Sequence, residues 1–309
     1  MLLRRITDFL LQNRVQAMAV AFLFAFVPVI GSIGILIAAF ITLRKGIVEG
    51  ALVTLAATIP YMISFGLSPT SAGQMEVLGV ILLGNLLIWA FSAGLRQFGS
   101  WNFILESAAL AGVLLVSAVH LINPNIQNWW ATELTTQFTK TTDAVSGKLN
   151  MDPSAQLMAK EAQLQVVNIV KQYATGFLAV SILLSALLQV VIARWWQAII
   201  FNPGGLQKEL YQIRFSYVAG AVYSICLLLV YLQMELALDV FPVLSAIFFF
   251  AGLSLIHWRI SLTKANWLWL LLIYLGIGLL FPVSVILVSI LALFDTGLDF
   301  RKRFKMMKR

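Results

Sequence analysis

One stretch of this chain, residues 173–194, reads YATGFLAVSILLSALLQVVIAR. It carries no charged side chain before Arg194, and Gln189 is its only side-chain amide. An apolar run of about 20 residues has the length that an α-helix needs to cross the hydrocarbon core of a bilayer. The stretch therefore predicts a transmembrane helix, because in lipid the backbone must satisfy its hydrogen bonds within the segment itself.

The composition of the whole chain extends this prediction. Of its 309 residues, 61% are hydrophobic and 11% are charged, whereas a soluble domain carries about 25% charged residues. Charges this sparse cannot cover the surface of a soluble protein of this size, so the apolar excess must face lipid. We expect an all-α, polytopic transmembrane helical bundle. A secreted disulfide scaffold, a disordered chain and a soluble nucleic-acid-binding protein are excluded, despite the net charge of +8.

Apolar blocks follow one another along the sequence, at residues 15–43, 47–66, 75–93, 102–122, 173–194, 216–233, 238–257 and 267–294. Six have the length of one span. The first and last are longer, and each has helix-breaking residues near its middle: Pro28, Gly31 and Gly34 in the first, and Gly276, Gly278 and Pro282 in the last. The first block is too long for a signal peptide, so we expect it to be retained as a membrane segment.

The distribution of basic residues predicts how the two long blocks are used. If each were a single span, Arg44, Arg96, Arg194 and other basic loop residues would lie outside, against the positive-inside rule. If each is a helical hairpin, both termini and every short basic loop lie in the cytoplasm. We therefore predict about 8–10 membrane segments, with the first and last long apolar blocks as helical hairpins.

This topology leaves four segments outside the hydrocarbon core: an amphipathic cytoplasmic N-terminus (1–14), an extracytoplasmic loop (123–172), a cytoplasmic interfacial loop (195–215) and a basic cytoplasmic tail (295–309). In the extracytoplasmic loop, Asp152 before Pro153 is typical of a helix start. The apolar residues that follow on one side of this helix are Met158, Ala162, Val166, Ile169 and Tyr173. The helix is expected to lie on the outer surface or to gate a substrate site.

The cytoplasmic loop contains the sequence Asn202-Pro203-Gly204-Gly205, which predicts a sharp turn. An amphipathic segment follows it, with Leu206, Leu210 and Ile213 on one side, and such a segment lies flat at a membrane interface. A turn is the simple interpretation. The alternative is that the two glycines let backbone N–H groups approach an anion.

Polar residues inside the predicted spans are candidate ligand-binding residues, because each costs free energy in hydrocarbon. Asn85 lies near the middle of its block, Gln189 lies in the fifth block, and Thr58 and Tyr61 flank Pro60, which kinks the second. Hydrogen bonds between helices would explain all four. A ligand pocket lined by Asn85 and Tyr61 is the functional alternative.

Motifs of catalysis and metal binding are not visible in the sequence. Cys226 is the only cysteine, so neither an intramolecular disulfide nor a thiolate metal site can form. The two histidines, His120 and His257, lie at the ends of different apolar blocks. No phosphate-binding loop and no zinc-protease motif occurs. We expect no catalytic residue, no metal, no cofactor and no enzymatic activity.

Two stretches resemble the YybS-like family of bacterial polytopic membrane proteins: RWWQAIIFNPGGLQ at 194–207 and LFDTGLDFRKR at 293–303. Arg44-Lys45-Gly46 also fits this resemblance. The family is loosely similar to substrate-binding subunits of energy-coupling-factor transporters, which dock on a membrane partner through small residues repeating every four in their first helix. Ala17, Ala21 and Ala25 stand where such a partner-helix face would be. The resemblance implies a bacterial cytoplasmic membrane.

The leading expectation is a substrate-binding or permease-like transport component for a small molecule. The molecule would enter from the outer face, beneath the 123–172 loop, and a separate subunit would supply the energy. The alternative is a non-catalytic scaffold or assembly factor whose basic cytoplasmic face holds anionic lipids or acidic partners. The expected partners are the lipid bilayer, anionic lipids at the cytoplasmic face and other membrane subunits.

Overall fold

The computed structural model describes residues 2–27, 30–67, 74–149, 152–263 and 266–306. Within these ranges it contains fifteen helices and no strand, which confirms the all-α prediction. The helices are α1 (Leu2–Gln12), α2 (Arg14–Ala25), α3 (Ser32–Lys45), α4 (Ile47–Leu67), α5 (Gln74–Phe98), α6 (Trp101–Ile122), α7 (Ile126–Leu149), α8 (Pro153–Val170), α9 (Ala174–Phe201), α10 (Gly205–Leu210), α11 (Tyr217–Tyr231), α12 (Glu235–Thr263), α13 (Leu268–Leu279), α14 (Val283–Leu298) and α15 (Phe300–Met306).

Fewer single helices reach the length of a full span than the 8–10 membrane segments predicted. Among the described residues, five helices are long and apolar enough to cross a membrane: α4, α5, α6, α9 and α12. A sixth span results if α13 and α14 are counted together. The helices α2, α3, α11 and α13 have 12, 14, 15 and 12 residues. At about 1.5 Å per residue they reach only about 18–23 Å, short of a hydrocarbon core of about 30 Å.

Both long apolar blocks are broken into two helices, as their central glycines and prolines suggest. In the first block, α2 and α3 pack against each other so closely that a Cβ atom at Gly34 would lie 2.5 Å from the carbonyl oxygen of Ala21. In the last block the chain bends by 120° between α13 and α14. Pro28, one of the predicted breakers, lies outside the described residues.

The chain divides into two compact units, the first of which comprises Met1–Ala108, Ser181–Phe215 and Phe250–Leu279. Its centre is α3, which packs on α2, α4 and α5 and buries nine of its residues. The ring of Phe40 on α3 stacks on Trp196 of α9 at 4.7 Å. The indole N–H of Trp196 donates a hydrogen bond of 2.8 Å to Thr7 Oγ1. This bond fastens the amphipathic N-terminal helix to the unit.

The second unit comprises Ala109–Val180, Ser216–Phe249 and Leu280–Arg309. Its most buried large side chain is Tyr223 of α11, which packs on Phe248 of α12. The Tyr223 hydroxyl lies 3.0 Å from Ser245 Oγ and 2.7 Å from Ser289 Oγ, so one phenol joins α11, α12 and α14. The polar atoms of these helices thus satisfy one another within the bundle, as hydrocarbon surroundings require.

The 123–172 segment contains two helices, of which the sequence predicted one. The predicted helix is α8, which begins at Pro153 after Asp152 and is followed closely by α9. The additional helix is α7, which packs on α8. The side-chain amide of Gln163, on α8, donates hydrogen bonds to the carbonyl oxygen of Phe138 and to Thr142 Oγ1, both on α7. The apolar side of α8 is exposed, since Met158, Val166 and Ile169 are all well above one third accessible.

Candidate ligand-binding site

Of the four polar residues predicted to bind a ligand, Asn85 and Thr58 meet directly. The amide nitrogen of Asn85 donates to Thr58 Oγ1 at 3.0 Å, and the Thr58 hydroxyl donates to the backbone oxygen of Thr54 at 2.7 Å. Both side chains are buried. The pair therefore joins α4 to α5 and corresponds to the first interpretation, hydrogen bonding between helices. Tyr61 and Gln189 are half-buried, and none of the four residues lines either cavity described below.

The small-residue face of α2 is covered by the chain itself. Ala17 and Ala21 are completely buried and Ala25 is nearly so. Gly34 of α3 lies against this face, within contact of Ala21 and Ala25. The sequence suggested that these alanines receive a helix of a partner protein. In the structure the chain's own helices α3 and α4 pack on α2, and Gly34 of α3 lies against Ala21 and Ala25.

The Asn202-Pro203-Gly204-Gly205 sequence forms the predicted turn between α9 and α10. Gly204 has φ of +78°, a left-handed conformation in which glycine has no steric penalty. Gly205 lies so close to the Asn202 side chain that a Cβ atom would collide with it. The turn folds α10 back beside α9, and each of two cavities is lined by residues of both helices.

The first cavity, which we call the polar cavity, has a volume of about 340 Å³. It is lined by Leu43, Leu95, Arg96, Gly99, Arg194, Gln197 and Glu209. Arg194 Nε donates to Glu209 Oε2 at 3.1 Å, and its terminal nitrogens donate to Glu209 Oε1 and Gln197 Oε1. Glu209 Oε2 also accepts the indole N–H of Trp101 at 3.1 Å. These bonds hold α10 against α9 and the start of α6.

The second cavity, which we call the apolar groove, has a volume of about 720 Å³. Its apolar lining residues include Val191, Trp195, Ile199, Leu206, Leu210, Phe250 and Leu253, from α9, α10 and α12. Few polar groups interrupt this wall. Ser254 Oγ donates to the backbone oxygen of Leu210 at 2.6 Å, and His257 Nε2 lies 2.8 Å from the Tyr274 hydroxyl. Small-molecule sites are typically of this kind, with about 300–1,000 Å³ of mostly apolar wall and a few polar groups.

The sequence did not single out the polar cavity because its residues come from the ends of four helices. Arg96, Arg194 and Glu209 were visible only as charges at helix ends, and nothing in the spacing pairs Arg194 with Glu209. In the second unit, the sequence spacing likewise did not pair His120 with Asp239, whose side chains lie 2.8 Å apart. Among the described residues, no group of three His, Cys, Asp or Glu side chains is placed to hold a metal ion.

Comparison of the chain with protein-family models, with curated proteins and with solved structures gives no match.

Proposed function

We propose that this protein is a substrate-binding or permease-like component of a membrane transport system, and that its small-molecule ligand occupies the apolar groove. The observation that carries the proposal is the groove itself, a space of about 720 Å³ in a helical membrane protein. The groove is partly open to its surroundings, and its volume lies within the range of small-molecule sites.

The chemistry of the wall favours a ligand with a substantial apolar part. Burial of apolar surface contributes about 25 cal/mol per Å², and most groove-lining side chains are aliphatic or aromatic. A polar end of the ligand would find hydrogen-bonding groups in the Tyr211 hydroxyl and the His257–Tyr274 pair. An amphiphilic molecule satisfies both requirements.

The distribution of basic residues supports a proposal for the orientation of the chain in the membrane. A hairpin returns to the side from which it started, whether or not it crosses the bilayer fully. Two such hairpins leave the position of every loop unchanged, so the charge argument applies equally to short arms. It requires in addition that α11 crosses the bilayer, since α4, α5, α6, α9 and α12 alone are an odd number of crossings. We therefore propose that both termini and the α9–α10 turn are cytoplasmic, in a bacterial inner membrane. The groove is lined by the α9–α10 segment, so we propose the binding site there, and not beneath the 123–172 loop where the sequence suggested entry.

The scaffold alternative predicts a different occupant for the same groove. Arg44, Lys45 and Lys208 are exposed at helix ends in the first unit, which favours contact with anionic lipids or acidic partners. In that case a helix of an assembly partner would fill the groove, and a small molecule would not be recovered with the protein.

The deciding experiment is purification in a mild detergent, with mass spectrometry of co-purifying small molecules and subunits. Leu253→Trp fills the groove, whereas Leu228→Trp places the same bulk on an exposed position of α11. We expect one amphiphile and an ATPase subunit to co-purify with the wild type and with Leu228→Trp. Leu253→Trp should lose the amphiphile. Equal small-molecule content in all three proteins would refute the groove as the binding site.

A further inference from the structure

The polar cavity contains one positive charge more than its carboxylate can balance. Two guanidinium groups, Arg96 and Arg194, and one carboxylate, Glu209, line it. Glu209 is fully engaged by Arg194, through both of its oxygens, and by Trp101. Within the part of the chain that the structure describes, no ion pair includes Arg96. The uncompensated charge of the cavity is therefore that of Arg96.

Arg96 is positioned by a backbone group. One of its terminal nitrogens donates a hydrogen bond of 2.8 Å to the carbonyl oxygen of Leu43, in the last turn of α3. A guanidinium carries five N–H donors, and this bond uses one of them. The Gln197 amide also approaches the same carbonyl, at 3.5 Å. The negative end of the α3 dipole therefore favours the guanidinium at this position and offsets part, though not all, of its full positive charge.

The wall beside Arg96 is open. Gly99 lines the cavity, has φ of +61° and has no atom within 4 Å of the position where a Cβ would stand. The chain around Gly99 therefore leaves open space at this part of the wall. The volume of about 340 Å³ is enough for a tetrahedral oxyanion with several waters, since a water molecule occupies about 30 Å³.

We propose that the polar cavity binds a phosphate group through Arg96, either as free phosphate or as the head group of an anionic lipid. Arginine matches the geometry of phosphate oxygens through parallel N–H donors. The cavity is built from the ends of α3 and α5, and ends of membrane helices lie at the level of lipid head groups. This site is independent of the proposed function, because it shares no lining residue with the apolar groove.

The test is thermal unfolding of the full chain in a non-ionic detergent, with sodium phosphate compared against sodium chloride of equal ionic strength. We expect phosphate to raise the Tm of the wild type, and Arg96→Gln to weaken the apparent phosphate affinity about tenfold or more, as the loss of a charge-assisted hydrogen bond requires. Arg96→Lys keeps the charge and is expected to retain part of the effect. The control is Lys208→Gln, which removes one exposed charge from α10 outside the cavity and should behave as wild type.

The two sources of phosphate are separated by native mass spectrometry with added phosphatidylglycerol or phosphatidylethanolamine. A phosphate-specific Tm shift identifies a site for the free anion. Preferential retention of phosphatidylglycerol that Arg96→Gln abolishes identifies a lipid site. If Arg96→Gln fails to fold, Arg96→Lys and Lys208→Gln are compared in the same assays. Phosphate and lipid responses that are the same in wild type and in the Arg96 variants would overturn the proposal, whatever the groove binds.

Discussion

The His120 imidazole and the Asp239 carboxylate meet in the second unit, with 2.8 Å between His120 Nε2 and Asp239 Oδ2. The other oxygen of Asp239 accepts the backbone N–H of Gly176 at 3.0 Å, and the carboxylate is completely buried. Three helices, α6, α9 and α12, are joined at this carboxylate. An ionisable side chain in a membrane protein is retained only where partners of this kind offset its cost.

Replacing His120 by Leu leaves the buried Asp239 carboxylate without its imidazole partner. We expect His120→Leu to lower the free energy of unfolding by about 3–5 kcal/mol, the usual cost of breaking a buried pair from one side. The double variant His120→Leu/Asp239→Asn should recover part of this loss. The measurement is denaturant or thermal unfolding in detergent.

The control for that pair is the other histidine. His257 is half-buried and bonds to the neutral Tyr274 hydroxyl, so His257→Leu should cost much less. If His120→Leu and His257→Leu lower the free energy of unfolding equally, the His120–Asp239 contact contributes no more stability than the His257–Tyr274 hydrogen bond.

Asn85 and Thr58 provide a second test, of interhelical hydrogen bonding. Asn85→Leu should lower the free energy of unfolding by about 1 kcal/mol, because hydrogen bonds between membrane helices are individually modest. Thr58→Val removes the same bond, so the two changes should be less than additive when combined. Loss of the co-purifying amphiphile in Asn85→Leu would instead place the ligand at Asn85, as the pocket hypothesis from the sequence requires.

Gly34→Ala tests the close packing of α2 on α3. The added methyl group would lie 2.5 Å from the backbone oxygen of Ala21, and overpacking of this kind costs about 1–3 kcal/mol. Gly79→Ala is the matched control, because Gly79 lies inside α5 with open space where its Cβ would stand. We expect a lower unfolding temperature for Gly34→Ala and an unchanged or higher one for Gly79→Ala. The same response from both variants would contradict the hairpin packing.

The orientation of the chain can be measured with single cysteines. The native Cys226 is buried on α11, so Cys226→Ala gives a background without accessible thiols. A membrane-impermeant maleimide applied to intact cells should label Lys160→Cys, in α8, and should label Lys45→Cys only after the cells are opened. The reason is that Lys45 belongs to the short basic loops, which remain inside. Labelling of Lys45→Cys in intact cells would invert the proposed topology.

Local patterns were sufficient to predict most helices but not the number of spans. The apolar blocks correspond to helices, and Asp152-Pro153 marks the start of α8, because hydropathy and capping act within a few residues of one another. The blocks 15–43 and 216–233 were counted as full spans or pairs of spans, whereas α2, α3 and α11 are short. Whether a short apolar helix crosses lipid or is sheltered by neighbours depends on tertiary packing, which hydropathy does not encode.

The candidate site was less predictable than the fold. Asn85 and Thr58 were recognised as polar residues in apolar surroundings, but their pairing across 27 residues was not. Arg194 and Glu209 are separated by the Asn202–Gly205 turn, and Arg96 comes from a different part of the chain. A single sequence contains no information that brings these three side chains to one cavity. Their meeting follows from how α5, α9 and α10 pack.

The six-residue helix α10 contributes wall residues to both cavities of the first unit. Glu209 and Leu210 are consecutive residues of α10, and one lines the polar cavity while the other lines the apolar groove. A six-residue helix is too short to twist one end independently of the other. A rotation of α10 about its axis would therefore move a wall residue of the polar cavity and a wall residue of the apolar groove together.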